Sequence, residues 1–112
     1  MNQADLKEFE TLIRARLAEL EQKSEAGKQA QSVVELDQQV VGRLSRMDAL
    51  QNQAMAKAQQ TRRDLEARRL NAALARIAEG KFGYCEDCGE TIARGRLKLD
   101  PAAGKCVSCA SG

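Results

Sequence analysis

All four cysteines of the chain fall in two identical Cys-x2-Cys pairs, Cys85-Glu-Asp-Cys88 and Cys106-Val-Ser-Cys109, separated by seventeen residues. Each pair is the reach of a tight knuckle that aims two sulfurs at one point, and two such knuckles make a tetrahedral four-thiolate zinc site. With no His in the chain, neither a mixed Cys/His site nor a His-based catalyst is available. Gly89 directly after Cys88 suits a backbone that turns sharply toward sulfur. A pair of disulfides would require an oxidising compartment, and the sequence from Met1 to Asp5 has neither a basic nor an apolar export segment, so a cytoplasmic location is expected. A redox Cys-x2-Cys motif would be single and would sit at a strand-to-helix junction. Four protein thiolates leave no open coordination position for water or substrate, so the expected cofactor is one structural Zn2+ held by Cys85, Cys88, Cys106 and Cys109.

The rest of the chain is built to carry this finger. Aromatic residues are 3% of the 112 and charged residues 30%, with a single Pro. That composition suits long solvated helices joined along a narrow seam rather than a thick core. The formal net charge of +2 is brought to zero by four thiolates and one Zn2+, so a general nucleic-acid-binding charge is absent. No apolar run approaches the length of a membrane span.

Leu6, Phe9, Ile13, Leu17 and Leu20 recur at three-four spacing and predict a first amphipathic helix over about 5–25. The pattern lapses between Lys23 and Ser32, where Ser24 and Gly27 weaken it, so the reversal is expected at about 26–36. Ser32-x-x-Glu35 has the form of a capping box, and Asp37 is an alternative N-cap. A second helix is expected over about 37–79, roughly forty residues and about 60 Å long. Its seam reads Leu44, Met47, Ala54, Ala58 and Leu65, then, after a shift of phase, Ala67, Leu70, Leu74 and Ile77. Gly80 is its expected stop. The fold class is therefore all-α: an antiparallel helical hairpin, or coiled coil, over 1–79 and a small C-terminal four-cysteine zinc finger over 80–112. In that arrangement Phe9, Phe82 and Tyr84 meet at one junction.

The charges have ordinary explanations. Arg62, Arg63, Arg68 and Arg69 alternate with Asp64 and Glu66, as on a solvated helix with i,i+4 pairs. Around the finger, Lys81, Arg94, Arg96, Lys98 and Lys105 face Glu86, Asp87, Glu90 and Asp100, and compensate a four-thiolate site of net charge −2. No phosphate loop, activated nucleophile or carboxylate pair is evident, so no enzyme is expected.

The run Phe82-Gly-Tyr-Cys-Glu-Asp-Cys-Gly89, with Ile92, Arg96-Leu97, Pro101 and Cys106-x-x-Cys109 after a long helix, closely resembles the DksA/TraR family of bacterial transcription regulators. The resemblance implies direct binding to RNA polymerase, without a DNA element of its own. It implies a coiled-coil hairpin inserted through the polymerase secondary channel with its tip near the active centre, and in some members joint action with the alarmone ppGpp in the stringent response. Counting back from the first knuckle, the family's two tip aspartates fall on Gly42 and Ser45. The tip residues expected to act are accordingly Asp37, Ser45, Arg46 and Asp48. The basic positions that match the family's polymerase or nucleotide contacts are Arg62, Arg69 and Arg96, whereas Asp100 stands where longer members carry a basic residue. The sequence stops at Gly112, before the C-terminal helix of those members, so polymerase binding is expected ahead of an alarmone response. Without the resemblance, a zinc-ribbon nucleic-acid binder and a coiled-coil adaptor for another protein are the alternatives, and the balanced charge near the finger speaks against the first.

Overall fold

The computed structural model describes residues 2–38 and 43–111, with side chains described over 2–29 and 46–111. Among the described residues four helices follow in order: α1 (Gln3–Gln38), α2 (Arg43–Glu79), α3 (Arg94–Leu99) and α4 (Val107–Ser111). The long pair forms the helical hairpin, and α3 and α4 belong to the finger. The chain divides into two compact units, one of 1–17 with 66–112 and one of 18–65. The finger therefore shares its unit with the first turns of α1 and the last turns of α2.

In the finger-bearing unit, α1 starts at an Asn2 cap whose side-chain oxygen accepts from the Asp5 amide at 2.9 Å, satisfying one of the free N–H groups of the first turn. The predicted stripe is buried where it lies in this unit, with Phe9 and Ile13 almost fully covered. On α2, Leu70 and Ala73 are buried, with Ala67, Leu74 and Ile77 half-buried. The helix ends as its Gly predicts. Gly80 adopts φ 74°, its amide reaches the Ile77 carbonyl at 3.2 Å, and the Lys81 amide reaches Arg76 at 2.9 Å, the paired bonds of a Schellman stop. Phe82, Ile92, Leu97, Pro101, Ala102 and Ala103 complete the buried set on the finger side.

The aromatic junction forms with two members. The rings of Phe9 and Phe82 lie 5.5 Å apart at 50°, a tilted arrangement favoured by the ring quadrupoles. Tyr84 is instead 45% exposed, because its backbone pairs in an isolated bridge with Thr91.

In the 18–65 unit the expected reversal at 26–36 does not occur: α1 runs on to Gln38, past the Ser32-x-x-Glu35 box, and α2 begins at Arg43 rather than 37. The reason lies in Ser24 and Gly27, which read as helix breakers and are interface residues. Gln60 donates to the Ser24 hydroxyl at 3.0 Å, and its own carbonyl oxygen accepts from Arg63 at 2.9 and 3.2 Å. A Cβ at position 27 would sit 3.1 Å from the Arg63 guanidinium, so Gly leaves room for it. One Gly inside a helix costs about 1 kcal/mol, too little to end a helix packed along its partner.

The α2 seam also differs from the expected one. Covered positions include Ala49, Gln53, Ala56, Gln60, Arg63, Ala67, Leu70, Leu74 and Ile77, at the four-three spacing of a coiled coil, with Glu66, Ala73 and Arg76 also covered. Met47, Ala54, Ala58 and Leu65 are exposed, and the Leu44 side chain lies outside the described residues. The apparent shift of phase comes from following an apolar stripe on the outer face, while the true seam carries Gln and Arg. Among the described residues no helix is long and apolar enough to cross a membrane.

Candidate metal centre and the basic groove beside it

The first knuckle is closed by the backbone. The Cys85 amide donates to the Glu90 carbonyl at 2.7 Å and the Gly89 amide to Cys85 at 3.0 Å. Gly89 takes φ 77°, where a side chain would be strained. The second knuckle opens α4, whose first bond runs from the Ala110 amide to the Cys106 carbonyl at 2.9 Å. The Glu86 amide donating to Gly104 at 2.8 Å ties the two arms together.

The four sulfurs all lie within 4.8 Å of one another, and Cys88 Sγ is 3.7 Å from Cys106 Sγ. A tetrahedron with Zn–S near 2.3 Å has edges of about 3.8 Å, so the donor set fits one Zn2+. All four cysteines are free. Their surroundings split them. Amides of the Cys106 and Cys88 backbone lower the Cys85 thiol to about 6. The Glu90 amide favours the Cys88 thiolate, but the Cys85 sulfur and burial raise it on balance. Cys109 is pushed up to about 12, chiefly by the Cys106 sulfur. Three or four thiolates crowded this closely repel one another without a cation between them. The site holds one structural zinc ion.

The charges around it are wired differently from the compensation expected within the finger. Lys105 does meet Asp87 at 3.3 Å. Arg94 pairs with Asp5 of α1, Asp100 with Arg69 of α2 at 3.0 Å, and Glu86 with Arg76 at 3.5 Å. Lys81 turns to Glu79 at 3.8 Å. The finger is thus fastened electrostatically to the helices of its own unit.

Of the predicted contact residues, Arg69 and Arg96 come together. They line one groove of about 380 Å³ with Arg76, Glu86 and Lys105. Arg96 is oriented by donating from Nε to the Lys105 carbonyl at 3.1 Å. Arg76 is not among the residues expected from the sequence. Its side chain is only 16% exposed and also donates to the Ala102 carbonyl at 3.3 Å. The available signal is its position one heptad after Arg69, on the same face of α2. Arg62 belongs to the other unit and is exposed there. Arg46 and Asp48 are exposed on α2; Gly42 and the side chains of Asp37 and Ser45 lie outside the described residues.

Comparison with known proteins agrees with this geometry. Residues 80–112 match the prokaryotic dksA/traR C4-type zinc finger. The chain is 38% identical over 42 residues to the RNA polymerase-binding transcription factor DksA of Haemophilus influenzae and 36% identical over 42 residues to that of Escherichia coli K12. Each match spans 38% of this chain and less than a third of the relative, 29% and 28% respectively. The structure of transcription factor DksA2 from Pseudomonas aeruginosa shares the fold, with a TM-score of 0.89 at 22% identity over 99% of this chain and 84% of the other. Residues 80–112 thus carry a zinc finger of the dksA/traR C4 type, in a chain whose fold is shared with DksA2.

Proposed function

We propose that this chain is a non-enzymatic bacterial transcription regulator that binds RNA polymerase directly. The observation that carries the proposal is the match over 42 residues to relatives named for polymerase binding, on a fold shared with DksA2 over 99% of the chain. The hairpin enters the polymerase secondary channel, and the segment around Asp37 to Asp48 acts near the catalytic centre. The groove with Arg69 and Arg96 supplies cations to polymerase, or to ppGpp held between the two, since planar guanidinium groups match phosphate and carboxylate oxygens in pairs. Arg62 adds a further basic contact, and the protein works in the cytoplasm without sequence-specific DNA binding.

The test uses purified zinc-loaded chain and RNA polymerase core enzyme. Direct binding is expected, with a change in transcript yield from a sensitive promoter. Asp37→Asn with Asp48→Asn should leave binding within a few-fold while altering yield, because a contact outside the binding hot spot adds little affinity. Arg69→Ala and Arg96→Ala should weaken binding, or weaken any response to ppGpp. Absence of binding to polymerase would overturn the proposal in favour of an adaptor for another protein.

A further inference from the structure

Arg96 lines the basic groove, but its hydrogen bond goes to the backbone that carries a zinc ligand. Nε donates to the Lys105 carbonyl at 3.1 Å, and that carbonyl belongs to the planar peptide unit whose N–H is on Cys106. The same N–H is directed at the Cys85 sulfur, where it favours the thiolate. A guanidinium, a peptide and a sulfur thus stand in one chain that runs from α3 through the second knuckle to the first. Its starting point is firm. Leu97, the next residue, is fully buried, Arg96 itself is half-buried, and the Arg96 carbonyl accepts from the Asp100 amide at 2.8 Å. We infer that Arg96 is a positioning residue of the metal centre, holding the Lys105–Cys106 peptide in the orientation that serves the sulfurs and so slowing the release of zinc.

This role differs from compensating the charge of a four-thiolate site. Compensation asks only for a cation within reach, whereas the bond uses Nε, a donor whose place along the side chain is fixed by the short stem behind it. A donor on a peptide carbonyl also polarises the peptide and strengthens the N–H at its other end. The ionic kind of brace is present beside it for comparison: Lys105 Nζ meets Asp87 at 3.3 Å, with the two side chains 49% and 51% exposed, and ion pairs so exposed contribute little. Partners just outside the ligand set change metal affinity by about 10–100-fold. Acting through a peptide rather than on a sulfur, Arg96 belongs at the lower end of that range. The inference rests on the zinc site alone and not on any partner of the groove.

Gln and Lys separate the two properties of the side chain. Gln Nε2 stands at the place of Arg Nε, so Arg96→Gln keeps the donor and removes the charge. Arg96→Lys keeps the charge and sets a methylene where the donor was. The test is the rate of zinc transfer from the loaded full chain to a chromogenic chelator, together with the absorption spectrum of the cobalt-substituted protein. Arg96→Lys and Arg96→Ala should release zinc about tenfold faster and shift the thiolate-to-cobalt bands. Arg96→Gln and Lys105→Gln should stay within about twofold of the parent, because exposed charges contribute little. Circular dichroism of each loaded variant checks that the helices persist, and should Arg96→Ala fail to take up metal, the Lys and Gln variants decide by themselves. Fast release from Arg96→Gln, or parental release from Arg96→Lys, would overturn the inference, and the two together would assign the residue to charge compensation.

Discussion

Phe9→Ala is the sharpest test of how the finger is attached to the helices. Phe9 is 2% and Phe82 3% exposed, and their rings meet at 5.5 Å. Truncating a fully buried Phe costs about 3–5 kcal/mol, and a ring pair adds about 0.5–1.5 kcal/mol beyond the area it buries. For a ring covered this completely the expected loss is about 4 kcal/mol. Urea denaturation of the zinc-loaded protein, followed by far-ultraviolet circular dichroism, measures it. Phe9→Leu, which keeps most of the volume, should lose about 1.5 kcal/mol. Phe82 lies three residues before Cys85, so Phe9→Ala should also hasten zinc transfer to a chelator. A double-mutant cycle with Phe82→Leu should show coupling near the ring-pair value. A loss below about 1 kcal/mol for Phe9→Ala, the range of surface substitutions and their neighbours, with unchanged zinc release, would refute a shared core between α1 and the finger.

Metal analysis should give one zinc per chain, and Cys85→Ser or exhaustive chelation should unfold the finger together with the helix ends of its unit, lowering the helical circular dichroism in part; retention of the full signal would separate finger from helices. Gln60→Ala should cost about 1–2 kcal/mol in thermal or urea unfolding, because it leaves the half-buried Arg63 guanidinium and Ser24 without their partner. Arg76→Ala should destabilise by about 1 kcal/mol, since it deletes the contacts to Glu86 and the Ala102 carbonyl, and an effect indistinguishable from that of Lys81→Ala would mean the side chain is idle.

What can be read from the sequence depends on how local the signal is. The two knuckles, the Gly80 stop and the Leu6-to-Leu20 stripe each follow from residues within a turn or two of one another, and they appear in the structure where the sequence puts them. The reversal is misplaced because Ser24 and Gly27 carry the same local signature in a turn as in a helix interface, and only Gln60 and Arg63, more than thirty residues away, distinguish the two. The α2 seam is misassigned for a related reason. Hydropathy selects Met47 and Leu65, whereas the covered positions hold Gln53, Gln60 and Arg63, and the polar ends of Gln60 and Arg63 satisfy one another. Residue type alone places Tyr84 in the core, and the bridge to Thr91 that turns it outward needs both halves of the first finger loop.

The basic groove shows how the same logic extends to function. Arg69 is on α2, Arg96 on α3 and Lys105 before the second knuckle, so no sequence window contains the set. The pair of Arg69 with Asp100 is loosely held: the two side chains are 49% and 42% exposed, and exposed ion pairs contribute only about 0–1 kcal/mol. If Arg69 contacts a phosphate or carboxylate as proposed, Asp100 would be displaced from it at little cost and would act as a competitor. Asp100→Asn keeps the shape and a hydrogen-bond acceptor while removing the charge. It should change stability by less than about 0.5 kcal/mol and, if the proposed contact role of Arg69 holds, tighten binding to polymerase or to ppGpp on polymerase by about threefold, a gain that added salt erodes. Arg69→Ala should abolish the gain in the double variant. Unchanged affinity in Asp100→Asn, with Arg69→Ala still weakening binding, would show that the Asp100 charge does not gate the groove.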